Sequence, residues 1–344
     1  MFVRPFPATF RSLLTTLAVF VLIASACAPA PSTATQASPG AAAPLSEIRL
    51  DYAYYSPTSL VLRRMGWAED AFKEAGASVK WVYSAGSNKA IEFLSANAVD
   101  FGSTAGAAAL LARTNDVPIK AVYIYEQPEW TALVVAKDSP LRGPSELRGK
   151  KIAATKGTDP YFFLLRTLNA YGMSQADVEV VNVQHADGRT ALERGQVQAW
   201  AGLDPHMAAS EIEAGSRLLY RNPGFNTYGF LNVREDLIAK HPDIVTSVIR
   251  LYERARTWTL EHPDAAARIL ADESQVSLAV AERELLERMN LKASAVPGDE
   301  HVAVLKAVVP IIRSEQLAKA GADPERALAT LLEPRFAQSV VAQR

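Results

Sequence analysis

Three short stretches hold the residue types that bind small oxyanions. Gly86-Ser87-Asn88, Ser103-Thr104-Ala105 and Gly157-Thr158-Asp159 each stand where an apolar helical pattern begins. A helix start offers free backbone N–H groups and a positive dipole end, and glycine beside it lets a ligand approach the backbone. The same residue types cap ordinary helices, so each stretch reads equally as a cap and as a ligand loop. Tyr55 and Ser56 follow the first apolar run, as a ligand loop or as packing beneath one. Trp130 is placed to cover an organic tail in a cleft, or to fill a core or a hinge. Arg189, in "HADGR", carries a planar, permanently charged fork suited to an oxyanion. Its rival partners are Asp187, itself a site candidate, and Glu193. Asp204 precedes Pro205 and reads first as a helix cap, second as a cleft residue.

Catalytic chemistry is thinly provided. The five histidines (His185, His206, His241, His262, His301) show no metal-ligand spacing. No GxSxG elbow, Walker loop or CxxC pair is present. The sequence therefore predicts no enzyme, no metal and no cofactor. His185 reads as a loop residue, Trp200 as core, and "EDAFKEAG" and "AERELLERM" as solvated helix faces.

These residues need elements to position them. From "EIRLDYAYY" to "VQAWAGLDPHMAASEIEAG" short apolar strands alternate with amphipathic helices, the pattern of an α/β sheet with helices on both faces. "SPLRGPSELRGKK" looks like a second beginning. From His241 onward nearly everything reads as helix, with Pro242 and Pro263 at helix starts. About 300 residues from Ser46 onward exceed one ordinary core. The reading is two lobes, 46–134 with 232–344 and 135–231, joined by strands near "TALVV" and "YGFLN". The hinge leaves an interlobe cleft, where small ligands bind.

The N-terminal stretch carries Arg4 and Arg11, then fourteen uncharged residues, Leu13 to Ala26. A basic start, a short apolar run and small residues describe a secretory signal over 1–26. Cys27, the only cysteine, would open the mature chain as in a lipoprotein, its sulfur carrying a lipid anchor. Ordinary cleavage after Ala24-Ser25-Ala26 is the alternative. Residues 27–45 form a Pro-, Ala- and Ser-rich tether without charge. Net charge is −1, and loss of the two signal arginines leaves −3. No basic excess points to nucleic acid.

"AGSNKAIEFLSANAVDFGSTAG", the "KDSP", "ELRGKK" and "KGT" series, and "HADGRTALERGQVQAWAGLDPHMAA" stand in one order along the chain. Together they resemble the substrate-binding proteins of ATP-driven importers for aliphatic sulfonates, taurine, nitrate and thiamin-pyrimidine precursors, nearest the sulfonate branch. The resemblance implies a periplasmic-binding-protein-like (type II) fold: two α/β lobes closing on a ligand, with C-terminal helices on the first lobe. It also implies a monomer outside the inner membrane that captures a small organic anion and hands it to a membrane permease with a separate ATPase. Ala105-Gly106 stands where that pattern has Gly-Glu, Gln198 where it has Asp, and Leu203 where it often has Trp. Within the binding reading, a sulfonate calls for donors beside an apolar wall from Trp130 or Tyr55. Nitrate calls for a smaller polar site, and a pyrimidine for aromatic stacking with an acid such as Glu126 or Asp187. A sensor or an enzyme on the same fold is the other alternative.

Overall fold

The computed structural model describes residues 45–342. The signal, Cys27 and all of the tether but Leu45 lie outside the described residues. Among the described residues, eleven strands make two sheets. Strands β1 (Glu47–Tyr52), β2 (Ser78–Tyr83), β3 (Phe101–Ala105), β4 (Ile119–Pro128), β10 (Gly229–Arg234) and β11 (Met289–Asn290) form the first. Strands β5 (Leu133–Val135), β6 (Lys151–Ala154), β7 (Glu179–Asn182), β8 (Ala199–Ala201) and β9 (Arg217–Tyr220) form the second. The orders are β11-β4-β10-β3-β1-β2 and β7-β6-β8-β5-β9.

One rule generates both. In each lobe the first strand lies between the second and the third, in parallel pairs. Beyond the third lies an antiparallel strand that has just crossed from the other half of the chain: β10 in the first lobe, β5 in the second. The two crossings were expected near "TALVV" and "YGFLN", but their register shifts the strands assigned to each side. Leu133 and Val134, read as first-lobe residues, pair with β8 and β9. Gly229 to Leu231, read as second-lobe residues, pair with β3 and β4. The physical cause is that each crossing strand completes the sheet it enters, so the linkers themselves are 129–132 and 221–228. They brace each other. The Arg221 guanidinium binds Glu129 at 2.6 Å, and the Thr131 N–H donates to Asn226 Oδ1 at 3.0 Å.

The C-terminal segment is mostly helical, as its pattern indicates. Helix Pro242–Glu261 starts with Pro242 and Asp243 and buries Val245, Val248, Ile249, Tyr252 and Ala255, a single stripe at helical spacing. That stripe joins Leu50, Leu60, Phe101, Tyr123 and Leu231 in the core beneath the first sheet. A second core runs across both lobes. Ala107 and Leu110 pack with Phe162, Leu165, Leu305 and Ile312. Strands β9 and β11 were not legible as strands. They are only four and two residues long, and each is an edge.

Candidate functional site

Parallel strands end in loops that face a common crevice, the usual ligand position in α/β sheets. In the first lobe those ends are β1 and β3. Asp51, near the end of β1, is fully buried, and its Oδ1 accepts the Ser103 N–H at 2.8 Å. Burial pushes the Asp51 carboxyl up to about 7, with the Ser84 and Ser103 hydroxyls and the Ser103 N–H drawing it back. The Tyr55 hydroxyl donates to the Ser103 carbonyl at 2.9 Å, and Ser87 Oγ accepts the Ala105 N–H at 2.9 Å. The Ser56, Ser84 and Ser103 hydroxyls are buried; Ser84 and Ser103 stand beside the Asp51 carboxyl, yet none of the three makes a protein hydrogen bond of good geometry. Buried polar groups are nearly always partnered, so this floor has donors to offer.

The second lobe approaches closely. A Cβ on Gly86 would lie 3.0 Å from His185 Nε2, so glycine there lets the lobes meet. His185 is 1 % exposed, its Nδ1 lies 3.2 Å from Thr155 Oγ1, and its Nε2 has no protein partner. Burial, reinforced by neighbouring His206, pushes its imidazole down to about 3. It is thus a neutral, buried seam residue and not the loop residue that the sequence suggested. Apolar side chains close the same seam. Ala53, Tyr55, Ala105 and Ala108 from the first lobe meet Trp130 and Leu203. The Tyr55 and Trp130 rings stand edge to face, 5.9 Å between centroids.

The other candidates sort by what holds them. Thr104 points away from Ser103, because neighbours on a strand face opposite sides. Its hydroxyl accepts from Asn232 Nδ2 at 2.8 Å and donates to the Ala105 carbonyl at 2.9 Å. The helix after Ala105, Gly106–Thr114, does not present a free N-terminus. Tyr228 O accepts the Gly106 N–H, and Thr227 Oγ1 lies 3.2 Å from the Ala107 N–H. Thr158 Oγ1 donates to the Thr155 carbonyl at 2.6 Å. Asp159 behind it accepts Trp130 Nε1 at 2.9 Å, the Thr227 N–H at 2.7 Å and the Thr227 hydroxyl at 2.8 Å. Trp130 is therefore a pin between the first crossing segment and a second-lobe helix, as well as an apolar wall. Asp187 is exposed. Arg189 binds Glu193 at 2.6 Å and Glu213 at 2.7 Å, so the fork offered by sequence is already occupied by carboxylates. Asp204 is fully buried and caps a helix, accepting the Ala208 N–H at 2.8 Å.

Asp204 also binds Arg288 at 3.1 Å, and Arg288 reaches Glu211 as well. That contact joins the C-terminal segment to the second lobe. "AERELLERM" was read as a solvated face. Glu284 in it is fully buried and Arg288 is 7 % exposed, because the segment packs over the second lobe, with Val280 against Ala208 and Ala209. The reading missed these two residues and Asp51. One signal was available: Asp51 and Glu126 are acids inside apolar strand runs.

Known proteins share this fold. The family described as NMT1/THI5 like matches residues 66–266. A Bacillus subtilis (strain 168) protein named for the binding of aliphatic sulfonates is 28% identical over 244 residues, 70% of this chain and 74% of that one. The riboflavin-binding protein RibY of Chloroflexus aurantiacus is 26% identical over 259 residues, 72% of this chain and 74% of that one. Among solved structures, the alkanesulfonate-binding protein SsuA from Xanthomonas axonopodis pv. citri, bound to MOPS, superposes with a TM-score of 0.74. It is 24% identical, with 83% of this chain and 99% of that one covered, a likeness of fold. The two-lobed topology and the family match over more than half of the sequence agree: the chain belongs to the NMT1/THI5-like family.

Proposed function

We propose that this chain is the substrate-binding component of an ATP-driven importer, working outside the membrane, and that it captures a small organosulfonate between its lobes. The observation that carries this is the seam itself. The buried hydroxyls of Ser56, Ser84 and Ser103 lie on its floor, and Tyr55, Trp130 and Leu203 form its apolar wall. Hydroxyls donate to the sulfonate oxygens, and the wall covers the organic tail. Ligand-bound closure then shifts an open–closed equilibrium, and a separate permease and ATPase recognise the closed form. Relatives named for sulfonate binding support the same ligand class. The chain acts as a monomer without turnover. Its Cys27 carries a lipid that holds the body at the membrane, and the twofold lobe architecture from Ser46 onward does the binding.

A binding titration with alkanesulfonates, taurine, sulfate, nitrate and a formylaminopyrimidine tests it. A ligand of the native state raises the melting temperature, so sulfonates should raise it and be recovered unchanged. A shift with nitrate or the pyrimidine alone, or a product formed on incubation, would replace this reading. Cys27→Ser should move the protein from the membrane fraction to the soluble one.

A further inference from the structure

Strand β4 carries a bulge. Gly229 pairs with Glu126 and Phe230 with Ile124, so Tyr125 is the extra residue. Bulges re-aim side chains beside functional sites. Here two consecutive side chains lean on one glycine: a Cβ at 229 would meet the Tyr125 ring at 2.3 Å and Glu126 Cγ at 2.9 Å. Glu126 is 1 % exposed, and neither of its oxygens has a protein partner. The Tyr125 hydroxyl, equally buried, has none either.

A second buried acid lies on the segment that pairs with the end of β4, Met289 with Pro128 and Asn290 with Gln127. Glu284 comes from a π-helical turn, Arg283–Glu287, an irregularity frequent at functional sites. It is fully buried and both of its oxygens are unpartnered. Burial, then the nearby Asp204 and Glu126 carboxylates, raise its carboxyl well above the ordinary range, and burial does the same for Glu126. The guanidinium in reach, Arg288, donates to Asp204 and Glu211 instead. Burial, then Glu126, Tyr55 and Asp51, raise the Tyr125 hydroxyl well above its ordinary range, so this phenol is within electrostatic reach of both the acid and the hydroxyl floor. Unpaired buried carboxyls cost free energy unless a partner arrives. Once their protons leave, the two carboxylates offer four acceptor oxygens beside an arginine that is already engaged, and these complement a cation.

We propose that Glu126 and Glu284, with the Tyr125 hydroxyl, form a subsite for a protonated amine of the ligand, so that the captured molecule is a zwitterion with its sulfonate on the Ser56 and Ser103 hydroxyls. The sulfonate end rests on the function proposed above, whereas the amine end stands on the acid pair alone. Arrival of the cation favours the charged carboxylates, so the protons that the pair holds leave as the ligand binds.

The test is calorimetry at pH 7 on the full chain, in buffers of different ionisation heat, with three probes: 3-aminopropanesulfonate, butanesulfonate and butylamine. The aminosulfonate should bind at least tenfold tighter than butanesulfonate and release protons. Glu126→Gln and Glu284→Gln should each remove that preference and the proton release, leaving butanesulfonate affinity within about twofold. Equal affinities for the two sulfonates, or proton uptake on binding butanesulfonate, would overturn the subsite, since the acids would then be donating to an anion. Butylamine binding with proton release, without either sulfonate binding, would keep the amine subsite and remove the sulfonate reading. The comparison of probes on the unaltered chain decides the matter even where a variant fails to fold.

Discussion

The two lobes share one strand order, yet their crevice-facing loops differ in how they use hydrogen bonds. After β6 in the second lobe, Thr155 Oγ1 donates to the Val183 carbonyl at 2.7 Å, Asn182 Oδ1 accepts the Lys156 N–H at 2.9 Å, and Thr158 and Asp159 are fully engaged. Around the ends of β1, β2 and β3 in the first lobe, the Ser56, Ser84 and Ser103 hydroxyls are buried, the last two beside Asp51, and none makes a protein hydrogen bond of good geometry. Equal topology thus carries unequal chemistry. The second lobe is a self-satisfied lid whose open groups are few, His185 Nε2 and Gln184 Oε1 among them. The first lobe holds unmet capacity for a ligand. Polar groups left unmet in a buried place are costly, and under the proposed function the asymmetry puts recognition on one lobe and closure on the other.

The largest effect should come from breaking the bond between them. Arg288→Ala leaves fully buried Asp204 and partly buried Glu211 without their cation. Losing one partner of a buried pair typically costs about 3–5 kcal/mol. The loss should appear as opening of the lobes, read as a larger radius in solution scattering, together with a lower melting temperature. A variant as compact and stable as the parent would show that Arg288 does not hold the seam.

Next comes a pair of neighbours on β3. Ser103→Ala removes an unpartnered hydroxyl from the floor and should weaken sulfonate binding roughly tenfold, about one hydrogen bond, with little change in stability. Thr104→Val instead strands Asn232 Nδ2 and should cost about 1–3 kcal/mol of stability while leaving affinity nearly unchanged. The reverse pattern would turn β3 over and remove the floor from the site.

A third effect, comparable in size, is set by pH. The Asp51 carboxyl is raised to about 7 from 3.8. The native state therefore holds a proton that the unfolded chain has lost between those values. Its contribution is complete below about 4 and is lost as pH rises through 7. Asp51→Asn keeps an acceptor for the Ser103 N–H and holds no titrating proton. It should match the parent at pH 4 and exceed it at pH 8 by on the order of a few kcal/mol. Parallel stability profiles for the two proteins would contradict this.

How much of this was legible follows from distance along the chain. The βα alternation, the two crossings, the turn at Tyr55-Ser56, the helix start at Gly86-Ser87 and the strand at Ser103 are local patterns, and sequence periodicity reports them. Which hydroxyl is engaged is not local. Thr104 is held by Asn232, 128 residues away, and Trp130 by Asp159, 29 residues away. The helix carrying Glu284 has the charge pattern of a solvated face, and only packing against the second lobe buries it.

Arg189 is where those limits matter most and where the smallest effect is expected. By residue type it is the strongest oxyanion ligand among the candidates, since its fork is planar and always charged. In the fold it lies on the second-lobe helix His185–Glu193, one turn from its own partner Glu193, with Glu213 completing the pairing. Two carboxylates already neutralise it, and partly exposed pairs of this kind contribute about 0.2–1 kcal/mol. Arg189→Ala should therefore lower stability by no more than that and leave sulfonate affinity within about twofold. If affinity instead collapsed while the melting temperature held, the anion would be held by the lid, and the division of labour between the lobes would be reversed.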